Sequence, residues 1–163
     1  MGKLYKKFWT WYEKHYTINV TLAAILFTLQ IVHLVWLTLH VIAFKLTGSS
    51  FWDPNVFWQN VIIFVDYTEI PAIISTSLIY INEIRLHGLK IKPAWYIFAL
   101  YIQLVHIFWI TDEFVLTSFT GEGPIVNLPA WLAWIAILID YLELPVIFET
   151  IKKALKVAFS TSK

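Results

Sequence analysis

Four apolar stretches, residues 20–44, 57–81, 94–117 and 128–151, make up most of the chain, with short polar segments between them. Each is close to the ~20 residues that cross a ~30 Å hydrocarbon core as an α-helix, so the pattern predicts four transmembrane helices. LTGSSFWDPN (46–55) parts the first two and FTGEGPIVNLP (119–129) the last two. Both contain Thr-Gly and Pro, the punctuation of loops. NEIRLHGLKIKP (82–93) is read as the connection between the two hairpins, with Glu83, Arg85, Lys90 and the C-terminal lysines as solvated caps. Ahead of them, residues 1–17 mix four lysines with Phe8, Trp9, Trp11 and Tyr12, the composition of an amphipathic helix lying in a membrane interface.

The polar positions inside the apolar stretches repeat. Gln30, Val32, His33, Trp36 and Thr38 return 73 positions later as Gln103, Val105, His106, Trp109 and Thr111. Asp66, Tyr67, Glu69 and Pro71 return 74 positions later as Asp140, Tyr141, Glu143 and Pro145. The expected architecture is therefore an all-α integral membrane protein: a four-transmembrane-helix bundle of two tandem hairpins, about 18–88 and 89–163, plus the N-terminal interfacial helix. Residues 18–163 form one domain. Because each repeat holds two spans, both copies point the same way, and a pseudo-twofold axis should run along the membrane normal.

Composition agrees and sets orientation. The chain is 59% hydrophobic and 14% charged with a mean hydropathy of +0.68, which places it in the membrane class. Eleven of the twelve Lys and Arg fall in the N-terminal arm, the 82–93 segment and the C-terminal tail, so both termini are expected in the cytoplasm. A net charge of +1 gives no footprint for nucleic acid. The absence of Cys excludes disulfides, thiolate metal sites, iron–sulfur clusters and covalently attached haem. The bilayer is the expected partner, with a homo- or hetero-oligomer left open.

The candidate chemistry lies where polar groups share helix faces. Gln30, His33, Leu37 and His40 recur at spacings of three and four, as do Gln103, His106, Ile110 and Glu113. Asp66 and Glu69 share a face, and so do Asp140 and Glu143. Counted from the span ends, His33, His106 and the four carboxylates sit near the bilayer midplane, with His40 and Glu113 about 10 Å beyond on the non-cytoplasmic side. A charge at that depth costs at least ~2.5 kcal/mol, so these groups must face inward and be balanced by protons, histidinium or bound cations. Pro71 and Pro145 each free a carbonyl next to the carboxylates, so a helix break is expected in both halves.

Imidazole plus carboxylate without Cys is a ligand set for Fe, Mn or Zn. One expectation is a dinuclear divalent-metal site: His33, His106, Glu69 and Glu143 as ligands, Asp66 and Asp140 as ligands or as orienters of the histidines, His40 and Glu113 as a catalytic base and acid toward a lipid-like substrate. The ligand inventory is similar to that of soluble di-iron and di-manganese carboxylate bundles, whose Glu-x-x-His pairs have no counterpart here, so no residue assignment carries over. Alternatives are proton or cation translocation, bis-histidine haem b through His33 and His106, and an accessory or structural subunit in which these groups are hydrogen-bond glue.

Overall fold

The computed structural model describes residues 2–111, 116, 120, 121, 123, 125 and 130–161, and every regular element among them is helical. Helix α1 spans Lys3–Lys14. Helix α2, Tyr16–Trp36, runs through a π-helical stretch, Leu37–Ile42, into α3, Ala43–Thr47. Helix α4 spans Val56–His87, α5 Ile91–Ile110, α6 Ala130–Tyr141 and α7 Glu143–Thr161. Four segments are long and apolar enough to cross a membrane: Tyr16–Thr47, Val56–His87, Ile91–Phe108 and Trp131–Ser160.

The helices overrun the apolar stretches that seed them. Tyr16–Thr47 and Val56–His87 have 32 residues each, about 48 Å at the ~1.5 Å rise of an α-helix, well beyond a ~30 Å hydrocarbon core. Most of the expected 82–93 connection is thus helix, and only residues 88–90 lie outside it. Nothing between Asn82 and His87 breaks a helix, and the chain leaves α4 at Gly88, whose φ of 79° suits a residue without Cβ. At the other end of α4 the side chain of Asn55 accepts from the backbone N–H of Trp58 and caps the first turn.

Helix α2 packs against α4 and α7, and α5 packs against α4 and against α6 and α7, so α2 and α5 occupy opposite corners of the bundle. The inward stripe of α2 is Val20, Ala23, Phe27, Gln30 and His33, continued by Leu37 of the π-helical stretch, while Ile18, Leu22, Ile25, Leu29 and Val32 are exposed. An apolar exterior around a partly polar interior reverses the pattern of a soluble bundle. Close approach relies on small side chains: Ala23, Ala24 and Ala154 pack with Val20 and Ile79. Ala23→Leu should force these helices apart and cost ~1–3 kcal/mol, read from unfolding of the detergent-solubilised protein.

Helix α1 is tied to the bundle. Trp9 and Tyr12 are buried, the Arg85 guanidinium lies 4.8 Å from the Trp9 ring centroid, and Arg85 also pairs with Glu13. Burial holds the Tyr12 hydroxyl above its ordinary pKa. Glu83 pairs with Lys153. Glu83, Arg85 and Lys153, read from sequence as solvated caps, therefore join α1, α4 and α7, because the overrunning helices bring their polar ends together.

Candidate functional site

His33 comes from α2, Asp66 and Glu69 from α4, His106 from α5, Asp140 from α6 and Glu143 from α7. None of the six is more than 6% exposed, so none faces outward. All six are turned inward, and the histidines meet the aspartates. A carboxylate oxygen only accepts, so the His33 Nδ1–H donates to Asp66 Oδ1 at 2.5 Å. The other nitrogen of the same ring, Nε2, is 3.5 Å from Asp140 Oδ2. His106 Nδ1 pairs with Asp140 Oδ1. The two imidazole centroids are 6.3 Å apart. The buried carboxyl groups of Glu69 and Glu143 interact electrostatically with each other.

The repeated glutamines hold each histidine helix in register with its carboxylate helix. Gln30 Nε2 donates to the carbonyl of Val65 and to Thr68 Oγ1, both at 3.1 Å, and Gln103 Nε2 donates to the carbonyl of Ile139 at 2.7 Å. Each glutamine lies three residues before a histidine, and each accepting carbonyl belongs to the residue before an aspartate. A second set of bonds ties one hairpin to the other. The Thr38 and Tyr141 hydroxyls are 2.6 Å apart, and those of Tyr67 and Thr111 are 3.0 Å apart. These Tyr–Thr contacts have no signal in the sequence pattern beyond recurrence. Thr38 with Thr111 and Tyr67 with Tyr141 were visible as recurring pairs, but periodicity does not say which helices are neighbours.

Two features differ between the copies. Asp140 meets both histidines, whereas Asp66 meets only His33. The expected helix break occurs once: α4 continues through Pro71, while the second copy is interrupted at Leu142. There the Leu142 N–H donates to Leu138 O at 3.2 Å and to Ile139 O at 2.9 Å, a tightened turn. Pro145 consequently falls in the first turn of α7, where its missing N–H leaves no bond unmade.

His40 does not join the six. Seven α-helical residues would return it to the face of His33, but the π-helical Leu37–Ile42 winds through i→i+5 bonds and rotates it away. Its Nδ1 lies 2.9 Å from Ser50 Oγ, 3.0 Å from Trp52 O and 3.8 Å from Asp53 Oδ1. Its ring stacks on Trp36, 5.7 Å between centroids, and Trp36 in turn lies 5.7 Å from the His33 ring. Glu113, the expected counterpart of His40, lies outside the described residues.

Glu69 Oε1 is buried with no hydrogen-bond partner, and buried Asp140 Oδ2 has only the 3.5 Å approach of His33 Nε2, too long for a good hydrogen bond. Such oxygens in a water-poor site favour a proton or another cation. Among the described residues, no group of three or more His, Asp and Glu side chains is arranged to hold a metal ion. No protein-family model, curated protein or solved structure matches the chain.

Proposed function

We propose that the chain is a multi-pass membrane protein that takes up and passes protons through the His/Asp/Glu cluster at its centre. In this reading the two hairpins are related by a pseudo-twofold axis along the membrane normal, and both termini are cytoplasmic. The observation that carries it is the His33 ring between Asp66 of its own hairpin and Asp140 of the other. An imidazole placed so accepts a proton on one nitrogen and releases one from the other. The two buried glutamates supply a second store, since carboxyl groups close together in a low dielectric share a proton more readily than both ionise.

Buried polar side chains support routes on both sides. Thr76, Ser77, Tyr80 and Thr150 are buried between the cluster and the Glu83–Lys153 pair, with the Tyr80 and Thr150 hydroxyls 3.4 Å apart. In the other direction a cavity of about 30 Å³ adjoins Trp36, His40 and Gln59, room for about one water. Protein reconstituted into liposomes loaded with a pH-sensitive dye should dissipate an imposed pH gradient, and His33→Ala and His106→Ala should each abolish nearly all of that flux. Flux no greater than that of empty liposomes rejects the reading and leaves an accessory or structural role.

A second reading, a divalent-metal site, has one observation in its favour. Each histidine turns Nδ1 to an aspartate, as metal-bound imidazoles do when a carboxylate orients them. His33, His106, Glu69 and Glu143 would be the ligands after side-chain rearrangement. Fe, Mn or Zn retained by the gently extracted wild type and lost from both histidine variants would favour metal over protons.

A further inference from the structure

We propose that the cavity where α1, α4 and α7 meet binds the phosphate of an anionic amphiphile. Its volume is about 640 Å³, within the ~300–1,000 Å³ range of small-ligand sites. The two acids that line it are already neutralised, Glu13 by Arg85 and Glu83 by Lys153. Lys90 and Lys156 line it too and enter none of the ion pairs among the described residues. The cavity therefore holds an excess of positive charge and ammonium donors suited to a phosphate oxygen. Leu86 and Val157 give it an apolar wall against which the glycerol and first methylenes of a lipid fit.

Depth points the same way. The cavity is built from the polar ends by which α4 and α7 overrun their apolar stretches, at the end of the bundle where Tyr16 begins α2. In the membrane placement proposed above, that is headgroup level in the anionic cytoplasmic leaflet. The inference rests on that placement and is independent of the proton chemistry.

The test compares wild type, K90Q/K156Q and a control, K152Q, whose lysine lies outside the cavity. Native mass spectrometry from mixed phosphatidylglycerol and phosphatidylcholine should show wild type and K152Q retaining phosphatidylglycerol preferentially. The double variant should lose that preference by roughly thirtyfold, as expected for two lysines near an anionic surface. Unchanged melting temperatures in the absence of lipid verify that all three fold alike. If inorganic phosphate alone protects wild type but not the double variant from thermal unfolding, the site takes free phosphate instead of a headgroup. Equal retention of both lipids together with no protection by phosphate, or a double variant indistinguishable from K152Q, overturns the proposal. Should the chain fractionate as a soluble protein, the membrane placement and the lipid source fall, and the phosphate arm alone decides the site.

Discussion

Asp140→Ala should destabilise the protein far more than Asp66→Ala, although the two residues occupy corresponding positions in the repeated sequence. Asp140 contacts both imidazoles and is 2% exposed, so its removal strips His106 of its carboxylate and leaves His33 only Asp66. Removing one partner of a buried ion pair costs ~3–5 kcal/mol, because the remaining group keeps its desolvation penalty without its compensation. Asp66→Ala leaves His33 within 3.5 Å of Asp140 and does not touch the contact of His106. Its cost should fall nearer the ~1–3 kcal/mol of a lost hydrogen bond to a charged group. Unfolding of the two variants in the same detergent, with wild type alongside, gives the comparison. Equal losses would mean that the two aspartates are equivalent and that the bridging position of His33 is not maintained.

Glu69→Gln and Glu143→Gln should separate the structural role of the glutamate pair from its chemistry. An amide keeps the shape and can donate to the remaining carboxylate, so each single variant should remain within about 1 kcal/mol of wild type, or gain stability from relief of like-charge contact. Proton flux into liposomes should nevertheless drop to background, because an amide does not titrate. Infrared spectroscopy offers a second readout: the C=O stretch of a protonated carboxyl present in wild type should vanish in either variant. Glu69→Leu, which leaves Glu143 beside an apolar group, should be markedly less stable than Glu69→Gln. If both Gln variants keep full flux, the pair acts only as hydrogen-bond glue, and proton transfer must be sought elsewhere.

Much of the candidate site is legible in the sequence. His33, His106, Asp66, Glu69, Asp140 and Glu143 could be placed inside the bundle because an ionisable group on an otherwise apolar helix has few affordable orientations. Spacings of three and four then put His33 beneath Gln30 and Glu69 beside Asp66. The same rule misplaced His40. It assumes unbroken α-helical winding, and the π-helical Leu37–Ile42 turned that ring to Ser50 and Trp52. Two prolines in matching positions likewise suggested two breaks, yet α4 accommodates Pro71 while the second copy parts at Leu142.

The sequence by itself determined the four long apolar helices, their inward faces and the meeting of acids with imidazoles. Helix length, side-chain period and the cost of a buried charge are local properties that a linear pattern encodes. Only the tertiary structure decided that Asp140 serves two histidines, that Tyr67 and Tyr141 reach across to the other hairpin, and that Glu13, Arg85, Glu83 and Lys153 lock the helix ends together. Polar positions that recur in the two halves of the sequence carry no instruction for which carboxylate each imidazole meets. That choice arises from small rotations and offsets as four helices settle against one another, where an ångström determines which carboxylate an imidazole meets.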